Sequence, residues 1–377
     1  MKRPGREAAL LVGVARRRQP RWEAEDSLDE LRELARSAGA TVVDALLQER
    51  DRLEPRYLIG KGKAEEVRSR CGGVDLVIVD EELSGSQQRN LEQLLGRRVV
   101  DRTGLILDIF AQRARTREGK LQVELAQLDY LLPRLAGAWT HLERLGGGIG
   151  TRGPGETQLE SDRRVVKTRM AKLRRDLDQV RRHRAVLRRP RQKVPFPVAA
   201  LVGYTNAGKS SLMNALTRAG VAVRNQLFAT LDPTLRRLVL PGGRVVLLSD
   251  TVGFIRKLPH QLVAAFQATL EEIQAAELLL HVVDASHPHA DRQQAAVEGV
   301  LEELGLADRA TLLIFNKVDR LPGPPPSYRP GSGRVATSAR TGVGLEALRE
   351  EMARCLGGAG RPGADLLRPP AGGAAAE

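Results

Sequence analysis

The segment Gly203–Ser210 reads G-Y-T-N-A-G-K-S and sets the expected architecture of the second half of the chain. The apolar run Val198–Val202 precedes it, and a helical pattern over Ser211–Leu216 follows it. A glycine-rich turn between a buried strand and a helix presents backbone N–H groups to phosphates. In such a turn the lysine reaches the β and γ oxygens, and the next hydroxyl binds Mg²⁺. The segment therefore predicts a strand–loop–helix unit that binds a nucleoside triphosphate through Lys209 and Ser210.

Three shorter motifs follow this loop and indicate which base is bound. They are D-T-V-G at Asp250–Gly253, N-K-V-D at Asn316–Asp319 and S-A-R at Ser338–Arg340. Guanine presents two adjacent donors, N1–H and the exocyclic amine, which the carboxylate of Asp319 can accept together; adenine lacks this pair. N-K-V-D also follows an apolar run, so it falls at the carboxyl end of a strand, where open α/β sheets bind ligands. The sequence predicts a GTP site.

The other motif residues have expected roles around the phosphates and the base. We expect Asp250 to hold Mg²⁺, commonly through water, and the Gly253 amide to contact the γ-phosphate. Asn316 is expected to hold its loop and the guanine edge, while the stem of Lys317 lies over the base. Mg²⁺ is therefore the expected cofactor, and GTP and GDP are the expected small-molecule ligands.

The whole chain is predicted to be an α/β protein, with a doubly wound phosphate-loop domain over residues 198–357. Residues 1–100 alternate short apolar runs with helical patterns, which indicates a small parallel-sheet α/β domain. A helix over Leu28–Ala38 is expected there, capped by Asp26 or Ser27. Residues 191–197 predict a stiff linker, and the Gly/Ala/Pro-rich residues 358–377 predict a disordered tail.

Residues 101–190 are expected to form an antiparallel helical hairpin that resembles a coiled coil. Two sets of apolar residues recur with the spacing of a coiled-coil seam. They are Leu121, Leu125, Leu128, Leu132 and Leu135 in the first helix, and Val166, Met170, Leu173, Leu177 and Val180 in the second. The Gly-rich segment Gly146–Gln158 joins the helices at the tip. A flexible spacer is one interpretation, while Arg144, Arg152 and Glu156 favour a loop that probes nucleic acid.

The charge of the chain indicates a polyanionic partner. The formal net charge is +14, and the sequence pI is about 10.4. Between Arg163 and Lys193 there are 14 Lys and Arg residues, against only Asp176 and Asp178 as acids. A solvated helix face normally mixes both signs, so this excess favours phosphate contacts whose affinity falls with salt. Aromatic residues make up only 3% of the chain, which favours structured RNA over stacked single-stranded bases.

The sequence predicts a cytoplasmic protein without a membrane span. The apolar run Ala8–Ala15 lacks a small-residue cleavage site and continues into Arg16–Arg18, so it is interpreted as a first strand and not as a signal peptide. No run approaches the roughly 18 apolar residues of a membrane helix. Two cysteines, Cys71 and Cys355, cannot build a disulfide framework and fit a reducing compartment. A monomer is expected.

Three segments together resemble the HflX family of ribosome-associated GTPases, in the Obg-like group of the translation-factor-related class. They read F-A-T-L-D-P-T at Phe228–Thr234, D-T-V-G-F-I at Asp250–Ile255 and G-G-G-I-G-T-R-G-P-G-E-T-Q-L-E at Gly146–Glu160. The resemblance covers the chain apart from its tail. It implies an N-terminal domain that docks on the large ribosomal subunit and its rRNA, near the peptidyl-transferase centre. It also implies a role in splitting or rescuing stalled ribosomes.

The first switch is expected at Phe228–Asp232. The sequence leaves both Thr230 and Thr234 open as the switch threonine, and the family resemblance favours Thr230, whose hydroxyl would complete the Mg²⁺ shell.

Phe254 occupies the position where many small GTPases place a water-orienting glutamine. Because phenylalanine cannot hydrogen-bond a water molecule, we expect slow intrinsic hydrolysis that the ribosome stimulates. The alternative is that Phe254 only packs.

The predicted site has Lys209, Thr230 and Gly253 as catalytic residues, with Ser210 and Thr230 as Mg²⁺ ligands. The residues expected around the nucleotide are Gly203, Tyr204, Thr205, Asn206, Ala207, Gly208, Lys209 and Ser210; Phe228, Ala229, Thr230, Leu231 and Asp232; Asp250, Thr251, Val252 and Gly253; Asn316, Lys317, Val318 and Asp319; and Ser338, Ala339 and Arg340. The leading hypothesis is a GTPase that acts on ribosomes. The alternative is an RNA-binding factor in ribosome assembly or RNA modification, for which GTP is a timer. A metabolite phosphotransferase is disfavoured, because N-K-V-D and S-A-R serve base recognition.

Overall fold

The computed structural model describes residues 7–17, 20–135, 154–188, 196–217, 227–228, 230–231, 234–257, 267–323 and 329–357. These residues form two compact units, one within Met1–Val186 and the other from Leu187 onward. Residues 146–153 of the predicted Gly-rich tip, most of the predicted linker (191–195) and the predicted tail (358–377) lie outside the described residues. The prediction that the tip loop extends to Gln158 is wrong, because a helix begins at Pro154, and proline suits the first turn of a helix. Ala229 and Asp232 of the expected first switch also lie outside them.

The first unit is built on a four-stranded parallel sheet. Its strands are β1 (Ala8–Arg16), β2 (Thr41–Arg50), β3 (Leu76–Val79) and β4 (Arg98–Asp101), in the order β2-β1-β3-β4. The accompanying helices are α1 (Arg21–Ala38), α2 (Lys61–Ser69), α3 (Gly85–Leu95) and α4 (Arg102–Arg113). β3 is buried along its whole length, as expected for a parallel strand with both sheet faces covered. The predicted parallel-sheet domain is confirmed.

Helix α1 begins at Arg21, well before the predicted start at Leu28. The prediction that Asp26 or Ser27 caps this helix is wrong, since both residues lie inside it. Arg21 forms an i,i+4 ion pair with Glu25 in the first turn, a pairing that favours helix at this point. Ser27 faces the interior instead, and its hydroxyl donates to Asp80 at 2.7 Å. Ser27, which the sequence suggested as a helix cap, therefore makes a tertiary hydrogen bond instead.

Helix α5 (Arg117–Leu135) is fastened to the first sheet through Asp101, at the carboxyl end of β4. The Asp101 carboxylate is completely buried. It accepts hydrogen bonds from the Leu83 and Gly104 amides, the Tyr130 hydroxyl and the Arg134 guanidinium. A buried charge needs partners of this kind, because burying it unpaired is costly. Tyr130 and Arg134 belong to the last turns of α5, so this end of the helix is fixed.

Helix α6 (Pro154–Arg188) lies beside α5 in the same unit. Arg169 of α6 pairs with Glu124 of α5 at 2.6 Å, and Arg174 pairs with Asp129 at 3.6 Å. The antiparallel direction of the predicted hairpin stays a prediction, because the connecting segment is not described. α6 is strongly basic.

Within the described ranges, no helix of the chain is long and apolar enough to cross a membrane.

The two predicted seams differ in burial. In α6 the seam is buried at Met170, Leu173 and Leu177. The five seam leucines of α5 are only partly buried, because α5 turns a second face inward, which contains Gln122, Val123 and Ala126. α5 therefore packs against two neighbours, the sheet domain and α6. A helix of a simple hairpin would pack against only one.

The second unit contains a six-stranded sheet in the order β10-β9-β8-β5-β7-β6. Its strands are β5 (Val198–Gly203), β6 (Thr234–Val239), β7 (Val245–Asp250), β8 (Leu278–Asp284), β9 (Thr311–Asn316) and β10 (Arg334–Ala336). Its helices are α7 (Lys209–Thr217), α8 (Gln267–Ala275), α9 (Ala290–Glu303) and α10 (Leu345–Gly357). Only β6 is antiparallel to its neighbour. The strand order reverses at β5, as the doubly wound prediction requires, and such a switch point is where these sheets bind ligands.

Candidate nucleotide-binding site

The phosphate loop lies at this switch point, between the end of β5 and the start of α7. Gly203 is the last residue of β5, and Lys209 is the first residue of α7. Gly208 has a φ of 97°, and a Cβ atom at this position would overlap the side-chain amide of Asn316. Glycine is required here because the backbone of Gly208 is left-handed and passes directly against Asn316 at the end of β9. The predicted strand–loop–helix unit is present.

Lys209 is buried, with its ammonium group held inside the loop. Its Nζ donates to the carbonyl oxygens of Gly203 at 3.0 Å and Tyr204 at 2.7 Å. Burial lowers the pKa of Lys209 to about 8, against the opposing effect of the Asp250 carboxylate. Phosphate oxygens carry full negative charge and bind an ammonium group more strongly than neutral carbonyls do. The side chain is therefore placed to exchange its two carbonyl contacts for phosphate contacts.

Three side-chain oxygens from separate segments meet beside the phosphate loop. Ser210 Oγ donates to Asp250 Oδ2 at 2.6 Å, and Thr230 Oγ1 lies 2.9 Å from each of these two atoms. Asp250 is only 1% exposed, and its Oδ1 has no hydrogen-bond partner among the described residues. Burial raises the pKa of Asp250, while hydrogen bonds from Ser210 and Thr230 and the charge of Lys209 oppose the rise.

This oxygen cluster fits a Mg²⁺ ion. Mg²⁺ takes oxygen ligands in a compact shell, including one or two carboxylates. A buried carboxylate with an unpaired oxygen gains stability from a nearby cation. Thr234, the alternative switch threonine, instead begins β6 and is paired with Asp250 in the sheet ladder. Thr230, and not Thr234, is therefore the threonine that belongs to the oxygen cluster.

The D-T-V-G turn after β7 packs directly on the phosphate loop. A Cβ atom at Gly253 would lie 2.7 Å from the Thr205 Cα and 2.8 Å from Lys209 Nζ, so a larger residue would force the backbone to move. Phe254 is 8% exposed. Its backbone is hydrogen-bonded to the phosphate loop at Gly203 and Thr205. The turn and the phosphate loop are therefore held together by backbone hydrogen bonds and close packing.

Asn316 and Ser338 organise the part of the site expected to bind the base. The Asn316 side-chain N–H donates to the Ala207 carbonyl at 2.9 Å, and its side-chain oxygen accepts from the Ala339 amide at 3.1 Å. Asn316 therefore joins the phosphate loop to the S-A-R loop. Ser338 Oγ donates to Asp319 Oδ1 at 2.7 Å. The carboxylate expected to recognise guanine is held in place by the serine of the S-A-R motif.

Lys317 is held by a residue that sequence reasoning missed. Its Nζ lies 2.6 Å from Asp284 Oδ2, and the two side chains are 15% and 13% exposed. Asp284 Oδ1 also accepts from the amide and the hydroxyl of Ser286, at 3.0 and 2.6 Å. Asp284 is the last residue of β8, the strand next to β5. Its position at the carboxyl end of a central parallel strand is the signal that could have identified it.

One cavity brings together most of the predicted residues. It is lined by Thr205, Asn206, Gly208, Lys209, Ser210, Phe228, Thr230, Thr251, Gly253, Asn316, Lys317, Asp319, Ala339 and Arg340. Ser211 and Arg320 also line it and were not predicted. The other described members are not among its lining residues: Gly203, Tyr204, Ala207, Leu231, Asp250, Val252, Val318 and Ser338. The geometry thus separates the predicted residues that line the cavity from those that lie behind its lining.

Three family models match consecutive parts of the chain. Residues 25–111 match the family described as GTP-binding GTPase N-terminal, and residues 113–191 match the GTP-binding GTPase Middle Region. Residues 198–317 match the 50S ribosome-binding GTPase family. The first two matches fall within the first unit as far as residue 186, and the third falls on the phosphate-loop unit.

Curated relatives and a solved structure extend these matches over most of the chain. The chain is 51% identical over 345 residues to GTPase HflX of Lacrimispora saccharolytica, covering 91% of this chain and 81% of the relative. It is 49% identical over 339 residues to GTPase HflX of Escherichia coli, covering 88% and 80%. The crystal structure of an SsGBP–GDP complex has a TM-score of 0.53 and 25% identity, over 93% of this chain and 98% of that chain. Because about half of the aligned residues are identical along this length, the chain belongs to the HflX family of GTPases.

Proposed function

We propose that this chain is a Mg²⁺-dependent GTPase that binds the large ribosomal subunit and uses its nucleotide state to split or rescue stalled or idle ribosomes. The observation that carries the proposal is one cavity lined by Lys209, Ser210, Thr230 and Asp319, with the Asp250 carboxylate hydrogen-bonded to Ser210 and Thr230. The match to the 50S ribosome-binding GTPase family supports the ribosomal partner. In this proposal the protein acts as a cytoplasmic monomer.

Hydrolysis of GTP requires neutralised charge at the phosphates and an oriented water molecule. Lys209 donates to the β and γ oxygens, and the Gly253 amide donates to the γ-phosphate. Ser210, Thr230 and Asp250 are the residues that would hold Mg²⁺. When bound, the ion would supply positive charge that stabilises the negative charge developing at the phosphates.

Phe254 explains why the proposed enzyme needs a partner. Its ring is packed and its backbone is tied to the phosphate loop, so this position offers no side-chain hydrogen bond to a water molecule. Intrinsic hydrolysis is therefore slow, and ribosome binding supplies the missing orientation. In Ras, a protein partner accelerates hydrolysis by about 10⁵-fold, which shows how large such a contribution can be.

The second candidate function is a GTP-timed RNA-binding factor in ribosome assembly or RNA modification. The observation that favours it is the exposed basic face of α6, which contains Arg164, Lys167, Lys172 and Arg175. Such a face binds RNA phosphates without specifying the event that comes after binding. In this alternative the nucleotide state sets how long the protein stays on RNA, and ribosomal subunits do not separate.

Sedimentation of intact ribosomes with the purified protein separates the two candidates. With GTP or a non-hydrolysable analogue, the proposed function gives free subunits, and the protein travels with the large one. A Lys209→Ala variant is the matched control and should release few subunits, because it loses the phosphate contact. Co-sedimentation with RNA while ribosomes stay intact in every nucleotide state would favour the RNA-binding factor.

A further inference from the structure

Tyr204 is the second residue of the phosphate loop, yet its side chain does not line the nucleotide cavity. The residue is 5% exposed. Its hydroxyl oxygen accepts a hydrogen bond from the backbone N–H of Arg256 at 2.9 Å. The side chain therefore points away from the expected nucleotide and toward the segment after the D-T-V-G turn. A phosphate loop needs only backbone N–H groups at this position, so the hydroxyl contact requires a separate explanation.

The hydroxyl contact is the third in a row of hydrogen bonds between the two segments. The Phe254 N–H donates to the Gly203 carbonyl at 3.1 Å, and the Thr205 N–H donates to the Phe254 carbonyl at 2.7 Å. These two bonds form a short parallel bridge between Tyr204 and Phe254. The Tyr204 hydroxyl extends the bridge by one contact to Arg256. Residues 254–256 are thus held along residues 203–205 by both backbone and side chain.

The residue held at the start of this bridge is Gly253. Its backbone packs on Thr205 and Lys209, and the residue lines the cavity. An amide that must meet a γ-phosphate depends on the orientation of the peptide that carries it, and residues 254–256 anchor the chain on the carboxyl side of that peptide. We propose that Tyr204 is a positioning residue whose hydroxyl sets how strongly the site distinguishes GTP from GDP. This proposal rests on the proposed contact between Gly253 and the γ-phosphate.

The test is the ratio of the affinities for a non-hydrolysable GTP analogue and for GDP, measured by titration calorimetry. Tyr204→Phe removes the hydroxyl and keeps the ring. Since one neutral hydrogen bond contributes about 0.5–1.5 kcal/mol, we expect analogue affinity to fall by about 2- to 12-fold relative to GDP. GDP has no γ-phosphate for Gly253 to contact, so its affinity should stay near that of the wild type. Hydrogen exchange at the Arg256 amide should also become faster in the analogue complex.

Arg256→Ala is the matched control, because it removes the side chain and keeps the donating N–H group. It should leave the affinity ratio and the exchange rate at position 256 near wild type. An unchanged ratio in Tyr204→Phe, an equal loss of both affinities, or the same effect from Arg256→Ala would each overturn the proposal. Gly253→Ala tests the underlying assumption separately. If its affinity ratio equals that of the wild type, the γ-phosphate contact of Gly253 is wrong, whatever Tyr204→Phe shows.

Discussion

The carboxylate of Asp319 lies at the wall of the nucleotide cavity with its orientation already set. Ser338 donates to one oxygen at 2.7 Å, and Arg340 lies 4.0 Å from the other. A side chain that is oriented before its ligand arrives loses less conformational entropy on binding. The same carboxylate is the group that matches the paired donors of guanine. A substitution at Asp319 should therefore change which base is bound without changing the contacts to the phosphates.

Asp319→Asn should shift base preference from guanine toward xanthine. The amide places a donor against the donors of guanine, which leaves buried groups unpaired at about 1–3 kcal/mol each. The 2-oxo group of xanthine accepts a hydrogen bond and would pair with that amide. Competitive titration with GTP and XTP measures the preference directly. If the variant keeps the GTP:XTP ratio of the wild type, this motif does not recognise the base.

Asp284→Asn should weaken GTP and GDP binding together, by roughly tenfold, because it removes the charged partner of Lys317. The GTP:XTP ratio should stay the same, since Asp319 is unchanged. Asp308→Asn, an exposed acidic residue of the same unit, is the control for a general loss of negative charge. Nucleotide affinity by fluorescence titration is the measurement. Equal affinities for Asp284→Asn and Asp308→Asn would contradict the role assigned to Asp284.

At the scale of single elements, the basic face of α6 should determine how RNA affinity depends on salt. Replacing the exposed residues Arg164, Lys167, Lys172 and Arg175 with glutamine should make the plot of log affinity against log salt shallower. The expected change is about 0.7–0.9 in slope for each phosphate that the variant no longer neutralises. Filter binding to ribosomal RNA over a salt series gives the slope.

A second pair of basic residues on α6 supplies the control for this experiment. Arg169 and Arg174 form ion pairs with α5, so part of their charge is already compensated. Replacing these two with glutamine should change the salt slope less, per residue, than replacing the exposed set. A wild-type slope near zero would show that the basic face of α6 is only solvated.

The Gly-rich segment between α5 and α6 should be needed for action and not for docking. Replacing residues 147–153 with a Gly/Ser linker of equal length keeps the whole of α6 and the anchor at Asp101. We expect the variant to bind large subunits in the GTP state but to release few subunits from intact ribosomes. Sedimentation and GTP turnover, measured on the same samples, separate these effects. Splitting at the wild-type rate would make the segment a spacer.

The elements themselves were predictable where local sequence decides them. The parallel strands of both sheets are short apolar runs, and burial of both sheet faces makes such runs a direct signal. The start of α1 was not predictable from capping chemistry, because Ser27 bonds to Asp80, 53 positions further along the chain. The partial burial of the α5 leucines could not be predicted from the sequence either, because it depends on a second face of α5 that packs on the sheet domain.

At the scale of the whole molecule, two compact units with separate apolar cores predict two thermal transitions. The nucleotide cavity lies within the phosphate-loop unit, so GDP at 100 times its Kd should stabilise that unit by about 2.7 kcal/mol. Calorimetry with and without GDP should therefore show one transition that moves to higher temperature and one that does not. Asp319→Asn should lose most of the shift. A single transition that moves as a whole on GDP binding would show that the units unfold as one.

The candidate site could be predicted in part, because its motifs carry their chemistry in consecutive residues. Lys209, Ser210 and Asp319 were identified by the phosphate and guanine groups that their side chains suit. Asp284 and the hydroxyl of Tyr204 were missed because each acts on a partner from another segment, Lys317 and Arg256. Sequence motifs show which residues face a ligand, whereas supporting residues are recognised only once strands are placed side by side.

The order of strands in the two sheets has a consequence for synthesis of the chain. All four strands of the first sheet have been made once Asp101 is added, so this sheet can form early as the chain leaves the ribosome. β5 lies in the interior of the second sheet, and its partners β7 and β8 end only at Asp250 and Asp284. Until then the apolar run of β5 is without its neighbours. The sheet of the phosphate-loop unit is therefore completed later in synthesis than the first sheet.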